Sequence, residues 1–397
     1  MGTVKAEEVA KLLEEYEERG LPVIYKVEGW DKEIISAIYS KRERVWEALN
    51  VNSDEEAYEK LLNKGRGKLV EVPFEAEEGK DLDSFPWVKF YPKDGGKYQT
   101  ASIFIACYEN ACNASFHRMM YLDKKRAAVR LVPRHLYTMY KKAIEDGKEL
   151  PVAIVIGAPS EVEFASSVSL PFGEFELELA SSFSKGLEIM RTPTYGLPVP
   201  KAGVIIEGRL TKELVDEGPF VDLLHTYDRV RKQPVLEVDA VYLTDEPMHL
   251  ILPGGREHQY LMGYPKEASI WDSVRRVVPK VHKVRLTRGG GMWLHAVVSI
   301  SKNVDGDAKN AIVAAFAGHP SLKHVVVVDP DVDPDNPYEV EWAIATRFQA
   351  HKDLIIINNA RGSSLDPSAE DGSTSKVGID ATAPIAHKEK FERVGKI

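Results

Sequence analysis

The stretch AGVIIEGRL, residues 202–210, decides how the middle of the chain is interpreted, because it predicts a buried β-strand. Its core, Val204 to Ile206, consists of β-branched residues, which favour strands, and glycines bound it. Comparable runs bounded by Gly, Pro or Asn lie on both sides: YQTASIFIACYEN (98–110), AAVRLVP (127–133), LPVAIVIGAP (150–159) and PVLEVDAVYL (234–243). So many strands with few helices predict an antiparallel barrel or sandwich.

The flanking segments have a different pattern. The first hundred or so residues mix helical periodicity, as in VAKLLEEYEERG (9–20), with short strand-like runs such as PVIYKV (22–27), which is typical of an α/β or α+β unit. From about residue 263, helical and strand patterns alternate: KEASIWDSVRRVVP, HAVVSIS, DAKNAIVAAFAG and HVVVVD. This alternation predicts βαβ units and a parallel sheet.

Three domains are therefore predicted: an N-terminal α/β domain (1–104), a central β-rich domain (105–262) and a C-terminal α/β domain (263–397). The last of these is expected to end in a polar helix, AHKEKFERVGKI (386–397). A tail of this kind often docks on a neighbouring subunit.

Composition and charge limit the possible functions. The formal net charge of −9 argues against a sequence-independent nucleic-acid binder, which needs a basic face. No apolar run reaches the length that spans a bilayer, and the charged N-terminal segment lacks the apolar core of a signal peptide, so no membrane association is expected.

The spacing of the two cysteines, Cys107 and Cys112, fits neither a zinc pair nor a convincing short disulfide loop. Reduced thiols and a cytoplasmic location are predicted.

Two stretches resemble known ligand-binding motifs but lack features that those motifs require. In DPDVDPDNPYEV (329–340) the aspartates have the rhythm of a calcium-binding EF-hand loop, but Pro334 stands where that loop needs glycine and Val340 where it needs glutamate. The glycine-rich stretch TRGGGMWLH (287–295) is followed by strand-like residues and not by a helix, so it is neither a Walker loop nor a dinucleotide-binding fingerprint. A bulge or the close approach of a ligand remains open there.

Two other stretches carry the chemistry. EGPFVD (217–222) places Glu217 and Asp222 around a Gly-Pro turn, either as solvated turn residues or as two fixed carboxyls that hold different protonation states. NASFHRMMYLD (113–123) carries Arg118 into an apolar run, where an arginine is costly unless it pairs with an anion. Taken alone, an arginine in such a position is more often a surface salt-bridge residue.

Together these stretches resemble the UbiD family of decarboxylases. The resemblance is carried by Asn-x-Ser-x-x-Arg-Met at residues 113–119 and Glu-Gly-Pro-aromatic-x-Asp at residues 217–222. It extends from roughly residue 100 to 385 through VPKAGVIIEGRL (199–210), HVVVVDPDVDPDNPYEVEWAIATR (324–347) and KVGIDAT (376–382). The family resemblance implies that the central domain is a flavin-binding split β-barrel between the two α/β domains.

The resemblance also implies an activity. UbiD enzymes use prenylated FMN to remove CO2 reversibly from unsaturated or aromatic acids, and a flavin prenyltransferase supplies that cofactor. Their catalytic trio falls on Arg118, Glu217 and Asp222, with Glu217 as proton donor and Asp222 supporting it through Arg118. A carboxyl beside the reacting carbon suits this role, because decarboxylation leaves a carbon that must be protonated.

The family resemblance further implies a cofactor site. A divalent metal, Mn²⁺ or Mg²⁺, would be bound by Asn113, His135 and Glu176, with K⁺ nearby. Further cofactor contacts would come from Arg118 and from four other residues: Ser115, Arg134, Ser166 and Ser167. For each of these residues taken singly, a polar core position, a helix cap or an ordinary strand-end serine is the alternative.

The substrate is less constrained than the chemistry. The short chain and its thermophile-like composition resemble archaeal members of the family that convert trans-anhydromevalonate 5-phosphate to isopentenyl phosphate in a mevalonate pathway. A phosphorylated substrate should require a basic cluster, for which the candidates are Lys124, Lys125, Arg126, Arg130 and Arg134. A decarboxylase of aryl or polyprenyl-hydroxybenzoate acids and a non-catalytic flavin-binding protein are the two rival hypotheses.

Family members form dimers and dimer-based hexamers, so the resemblance implies one of these assemblies.

Overall fold

A computed structural model describes residues 2–63, 65–184, 186–370 and 372–395. The chain divides into two compact units, one formed by residues 1–222 and 227–261 and the other by residues 223–226 and 262–397. The division into three domains stays a prediction. Among the described residues, no helix is both long and apolar enough to cross a membrane.

The first unit combines a curled sheet with peripheral helices. Its helices are α1 (Val9–Arg19), α2 (Arg42–Leu49), α3 (Asp54–Leu61), α4 (His135–Glu145), α5 (Ser160–Ser167) and α6 (Glu176–Ser182). Its strands up to the middle of the chain are β1 (Thr3–Val4), β2 (Val23–Val27), β3 (Trp30–Ser36), β4 (Leu69–Glu71), β5 (Glu77–Gly79), β6 (Tyr98–Gln99), β7 (Ser102–Tyr108), β8 (Ala111–Phe116), β9 (Met119–Asp123) and β10 (Arg126–Val129). The remaining strands of this unit are β11 (Leu150–Ile156), β12 (Leu187–Arg191), β13 (Pro198–Val199), β14 (Val204–Glu217), β15 (Phe220–Val221), β16 (Tyr227–Asp228), β17 (Arg231–Leu243) and β18 (Met248–His249).

The main sheet of this unit is antiparallel, as the strand pattern predicts. Its order is β6-β9-β10-β17-β14-β11-β7-β8, and β5 also pairs with β17. The stretch AGVIIEGRL forms the first half of β14, where Ile206 lies opposite Ile154 of β11. Both side chains are fully buried, so this apolar stretch lies in the core of the sheet.

The main sheet curls strongly. Strand β8 is at one edge of the strand order, whereas β9 is next to the opposite edge. Only residues 117 and 118 separate these two strands in sequence, a connection that spans at most about 10 Å. The two ends of the sheet must therefore approach one another. The described residues form no ladder that closes the sheet, so the split β-barrel stays a prediction.

The cysteines form a disulfide, so the prediction of reduced thiols is wrong. Cys107 and Cys112 lie directly opposite each other in the β7–β8 hairpin, with their Cα atoms 4.1 Å apart. The sequence separation of 5 residues is compatible with a bond because a tight hairpin, and not an open loop, joins the two strands. The register of the hairpin could not be read from cysteine spacing alone.

The second unit confirms the predicted parallel βαβ pattern. Its strands are β19 (Lys280–Leu286), β20 (His295–Ser301), β21 (His324–Val328), β22 (Leu354–Arg361) and β23 (Ser373–Ala381). Its helices are α8 (Asp307–Gly318), α9 (Pro337–Arg347) and α10 (Ala350–Asp353), while α7 (Arg256–Val274) contributes residues to both units. The order is β19-β20-β21-β23-β22, in which β20, β21 and β23 are parallel and the two outer strands antiparallel.

Helix boundaries differ from the predicted ones at both ends of this unit. Helix α7 begins at Arg256, ten residues before the predicted segment, because the Glu17 carboxylate accepts hydrogen bonds from the free backbone N–H groups of its first turn. The predicted polar terminal helix is instead a short 3₁₀ segment, Ile385–Phe391, which is broken at His387. Its residues are mostly exposed, so it has no apolar stripe to stabilise an α-helix.

A buried ionic network lies in the first unit. His249 contacts Glu163 through Nδ1 at 2.7 Å and Glu257 through Nε2 at 3.2 Å. The Glu257 carboxylate also accepts backbone N–H bonds from residues 37 to 39. Burial by itself lowers the pKa of His249, but Glu163 and then Glu257 raise it to about 10. Burial, reinforced by Glu257, raises the pKa of Glu17 to about 8. His249 is therefore a buried imidazolium at neutral pH.

This network predicts a loss of stability in alkali. The folded pKa of His249 lies above its unfolded value of about 6.5, so its contribution is complete below pH 6.5 and is lost as the pH rises towards 10. Glu17, with its raised pKa, acts in the same direction. We expect the melting temperature to fall over this range, and His249→Gln to cost about 3–5 kcal/mol at pH 6.5 and less at pH 10. The exposed His282→Gln serves as control in thermal melts, and an equal cost of His249→Gln at both pH values would contradict the assignment.

Candidate active site

Arg118 is the centre of a buried ionic cluster. It lies in the short connection between β8 and β9, and only 9% of its side chain is exposed. Its Nε and Nη2 donate to the two carboxylate oxygens of Glu217 at 2.8 and 3.0 Å, a bidentate contact. Nη1 donates to Asp222 at 3.0 Å and Nη2 to Asp228 at 3.2 Å. The alternative of a surface salt bridge is therefore wrong for Arg118.

The carboxylates come from one turn and the short hairpin that follows it. Glu217 is the last residue of β14, and the peptide bond between Gly218 and Pro219 is cis. Strand β15 then pairs with β16 so that Phe220 lies opposite Asp228. This pairing brings Asp228 to the cluster, which sequence analysis missed. The only signal was an acidic residue among arginines in TYDRVR (226–231).

Two aromatic rings enclose the cluster. The Phe220 ring lies against the Arg118 guanidinium, 4.5 Å from its carbon to the ring centroid, in cation–π geometry. The Tyr98 ring packs against Phe220 with centroids 4.4 Å apart, and its hydroxyl donates to Sδ of Met120 at 3.2 Å. Burial, and then Glu217, raise the pKa of Tyr98, so the phenol stays neutral. These contacts exclude water and strengthen the charge interactions among the buried groups.

The charges of the cluster balance. Asp228 also contacts Arg231 and, at 3.5 Å, Arg130, so three guanidinium groups face three carboxylates. Burial raises the pKa of Asp228, but Arg231 and then Arg118 overcome this and hold it below its usual value. If one carboxyl takes up a proton, the cluster acquires a net positive charge, which attracts an acid substrate.

A glycine loop fixes the turn that carries Glu217. The backbone N–H of Gly95 donates to the carbonyl of Pro219 at 2.8 Å, and the neighbouring Asp94 accepts a hydrogen bond from the backbone N–H of Tyr91 at 2.9 Å. A Cβ atom on Gly95 would lie 2.1 Å from the carbonyl oxygen of Gly218. Only glycine therefore allows the loop to lie this close to the turn.

Gly95→Ala is expected to displace the Glu217 turn and to lower kcat by about tenfold to a hundredfold, because small misplacements of reacting groups are costly. The matched control is Gly96→Ala, whose added Cβ meets the flexible Met120 side chain at 3.0 Å and the Tyr121 carbonyl oxygen at an ordinary contact distance of 3.8 Å. Steady-state kinetics with melting temperatures would check this expectation. Equal kcat values for the two variants would show that the close contact does not position Glu217.

The predicted metal ligands are partly brought together. Asn113 and Glu176 are both buried, and Nδ2 of Asn113 donates to Oε1 of Glu176 at 3.0 Å. The backbone N–H of Ala114 donates to Oε2 of the same carboxylate at 2.7 Å. Burial raises the pKa of Glu176 to about 7, since its partners are neutral. A buried carboxylate of this kind, beside an amide oxygen, is a fitting place for a hard cation.

His135 is not seen in contact with these two residues. It begins helix α4, and its ring packs against Phe172 with centroids 5.4 Å apart. Among the contacts of the described residues, none joins His135 to Asn113 or Glu176. Its assignment as a ligand stays a prediction.

The serines of helix α5 differ from each other. The Ser167 hydroxyl donates to the carbonyl of Glu163 at 3.0 Å, within the helix. The Ser166 hydroxyl is buried without a partner among the described residues. A buried, unpartnered hydroxyl is rare in a folded protein and is consistent with a ligand contact.

The predicted basic cluster is divided between two places. Lys124, Lys125 and Arg126 lie at the turn of the β9–β10 hairpin, and exposed carboxylates such as Asp83 and Asp123 pair with two of them. Arg130 lies at the other end of the hairpin, where its backbone N–H donates to the carbonyl of Arg118. The five basic residues therefore do not form one phosphate site, because a β-hairpin separates its turn from its open end.

Comparisons with known proteins identify the family to which this chain belongs. The model of the 3-octaprenyl-4-hydroxybenzoate carboxy-lyase Rift-related domain matches residues 60–257, and that of the corresponding C-terminal domain matches residues 259–381. The chain belongs to the UbiD family of carboxy-lyases.

Similar proteins cover almost the whole chain. The anhydromevalonate phosphate decarboxylase of Aeropyrum pernix is 48% identical over 97% of this chain and 90% of its own. The protein of the same name from Methanothermobacter thermautotrophicus is 44% identical over 98% and 94%. The structure of the UbiD-class enzyme HmfF from Pelotomaculum thermopropionicum in complex with FMN superposes with a TM-score of 0.93 at 36% identity, covering 99% of this chain and 93% of that one.

Proposed function

We propose that this chain is a prenylated-FMN-dependent decarboxylase that converts trans-anhydromevalonate 5-phosphate to isopentenyl phosphate and CO2. The observation that carries the substrate is the near full-length identity of 48% to a relative named for this activity. The buried cluster of Arg118 and its three carboxylates supports the chemistry, because it holds a proton donor where water is scarce.

Glu217 is the proposed proton donor. It is fully buried, and Arg118 binds both of its oxygens, while Asp222 and Asp228 compete for the same guanidinium. When Glu217 takes a proton, Arg118 keeps two other anionic partners, so its charge stays compensated. Glu217 can then deliver the proton from its carboxyl oxygen to the carbon that loses CO2, and Asp222 stabilises Arg118 meanwhile.

The residues present would fit a flavin cofactor together with a divalent cation that helps to hold it. Asn113 and Glu176, with His135 as third ligand, would hold Mn²⁺ or Mg²⁺, with K⁺ nearby. The unpartnered Ser166 hydroxyl supports a flavin contact in the same part of the fold, together with Ser115, Ser167 and Arg134. The structure of HmfF with prenylated FMN, at a TM-score of 0.89 and 34% identity, supports the cofactor by likeness. When bound, prenylated FMN supplies the electron sink for decarboxylation.

Several wider features belong to the same proposal. The curled antiparallel sheet is the split β-barrel of the family, flanked by the N-terminal and C-terminal α/β domains. The protein acts in the cytoplasm as a homo-oligomer, a dimer or a hexamer, and a separate flavin prenyltransferase provides its cofactor.

The test uses full-length protein produced together with a flavin prenyltransferase. Mass spectrometry of the released cofactor should give the mass of prenylated FMN, and the loaded protein should release isopentenyl phosphate from trans-anhydromevalonate 5-phosphate. The same acid without its phosphate is the matched control substrate and should react much more slowly. Turnover of both acids at equal kcat/KM would contradict a phosphate-specific site.

Decarboxylation of an aryl acid is the second candidate. It is favoured by the likeness to a phenolic acid decarboxylase of Sedimentibacter hydroxybenzoicus, which is 30% identical over 77% of this chain. Turnover of phenolic acids alone would support this candidate. A loaded protein that turns over neither class of acid would support a non-catalytic flavin-binding role.

A further inference from the structure

Arg130 is a buried cation that has few partners of its own. It is 8% exposed, and its guanidinium makes a single hydrogen bond among the described residues, from Nη1 to the carbonyl of Leu131 at 3.1 Å. Its Nε lies 3.5 Å from Asp228, which is longer than a charged hydrogen bond. By contrast, all three nitrogens of the neighbouring Arg118 guanidinium donate to carboxylates. Most hydrogen-bond donors of Arg130 are therefore available to a ligand.

The carboxylates of the cluster are shared unevenly among its three arginines. Arg118 contacts two carboxylates besides Asp228. Among the described residues, Arg130 and Arg231 have only Asp228 as a carboxylate partner. Burial, and then the like charge of Arg231, lower the pKa of Arg130. This side of the cluster therefore has an excess of positive charge, which an anionic group of a ligand would compensate.

Gln233 adds a neutral donor beside Arg130. Its Oε1 accepts a hydrogen bond from the backbone N–H of Leu131 at 2.7 Å, and its Nε2 donates to no other group among the described residues. Because Arg130 binds the carbonyl of the same Leu131, the guanidinium and the amide are anchored on one residue. Gln233 is only 7% exposed, a position where an unpaired donor is costly. Both donors border accessible space, unlike the sealed Ser166 hydroxyl, so a ligand can reach them.

Arg130 lies next to the groups proposed to react. Val129 pairs with Met119 in the β9–β10 ladder, and the backbone N–H of Arg130 donates to the carbonyl of Arg118 at 3.2 Å. Arg130 and Arg118 are therefore direct cross-strand neighbours, and side chains in this relation lie on the same face of a sheet. An anionic group bound by Arg130 would lie close to Glu217, which Arg118 binds through both oxygens.

We propose that Arg130 and Gln233 bind the phosphate group of the substrate and thereby select phosphorylated acids. This inference rests on the proposed function and adds the residues that determine its substrate specificity. A phosphate monoester is a doubly charged group with three acceptor oxygens, so it can use the guanidinium donors and the amide donor together. In trans-anhydromevalonate 5-phosphate, the phosphate and the carboxylate are at opposite ends of a five-carbon chain. Arg130 can therefore hold one end while the other end reaches Glu217.

The test compares kcat/KM of the flavin-loaded protein for trans-anhydromevalonate 5-phosphate and for the same acid without its phosphate. Arg130→Gln should lower the ratio of these two values by about tenfold to a hundredfold, because a charged hydrogen bond to the phosphate is lost. Asp228 keeps Arg118 and Arg231 as partners in this variant. A merely structural role for Arg130, or a contact with the carboxylate that both acids share, would lower both values equally. An unchanged ratio would therefore overturn the inference.

Gln233→Glu is a second variant, which retains the acceptor for the backbone N–H of Leu131 and has nearly the same shape. Its carboxylate would pair with Arg130 and repel the phosphate, so the same ratio should fall by at least about tenfold. The control is Arg229→Gln, which removes an exposed positive charge next to Asp228. Its ratio should stay within about threefold of the parent, because solvent and salt screen an exposed charge. An equal fall in Arg229→Gln and Arg130→Gln would show a general charge effect and overturn the inference.

The phosphate of the flavin is the other phosphate monoester that could bind here. The amount of flavin released per protein chain, measured by absorbance, separates the two sources and should be the same in the parent and in both variants. Loss of flavin from Arg130→Gln would assign the site to the cofactor and overturn the inference. A parent protein that does not prefer the phosphorylated acid would instead contradict the proposed function, and the phosphate site with it. The two failures are therefore distinguishable.

Discussion

Replacing Glu217 by glutamine is expected to lower kcat by at least about a hundredfold, the scale of losing a general acid. The amide has nearly the same shape and can still accept a hydrogen bond from Arg118, but it has no acidic proton to give. Substrate binding should change much less than kcat, because Glu217 contributes chiefly after CO2 has left. Steady-state kinetics on protein loaded with prenylated FMN would measure both quantities.

The matched control for this experiment is Asp216→Asn. Asp216 precedes Glu217 in β14, but its side chain is exposed and pairs with Lys232. This control should keep kcat within about a factor of two, since surface ion pairs contribute little. If Glu217→Gln kept full turnover, Glu217 would not be the proton donor, and Asp222 would be the next candidate for this role.

Arg118→Met is expected to cost about 3–5 kcal/mol of unfolding free energy and to abolish turnover. The variant leaves Glu217 as a buried carboxylate without the arginine that binds both of its oxygens, and it removes one of the three cations around Asp228. The cost of an unpaired buried charge exceeds the benefit of the original pair, so removing the arginine alone is worse than removing the whole cluster.

The pH dependence of this variant gives a second signature. In the parent protein the depressed pKa of Asp228 contributes stability above its unfolded pKa of about 3.9, and this contribution is lost as the pH falls through the folded pKa. Without Arg118 the carboxyl of Asp228 protonates more readily, so the difference in stability between parent and variant should shrink from pH 7.5 to pH 4.5. Urea unfolding would measure it.

Arg126→Met is the control, because Arg126 is an exposed arginine of the neighbouring hairpin that pairs with Asp123 and Glu213. It should cost less than about 1 kcal/mol at either pH. An Arg118→Met variant as stable as this control would mean that the cluster does not depend on its central cation.

Local patterns in the sequence predicted much of the fold. The apolar run in β14 is a signal within one strand, and the alternation of strands and helices around α8 is a signal within one short segment of the chain. Both were interpreted correctly. The disulfide and the start of α7 were missed for different reasons. The disulfide depends on the register of a tight hairpin, whereas the start of α7 depends on Glu17, which is distant in sequence.

The site could be predicted only where the chain itself brings residues together. Glu217 and Asp222 share one turn, and the family pattern placed Arg118 with them. Asp228 reaches the same guanidinium through the pairing of β15 with β16, which no spacing rule reveals.

The curled sheet has a consequence for how new substrates could be acquired. Because residues 113–118 run directly from one edge of the sheet towards the other, the spacing between Asn113, the proposed cation ligand, and Arg118, the proposed catalytic arginine, is set by six consecutive residues. Mutations outside residues 113–118 leave this spacing along the chain unchanged. We therefore expect laboratory selection for activity on other acids to change residues outside this segment. The proposed proton-transfer residues should stay the same.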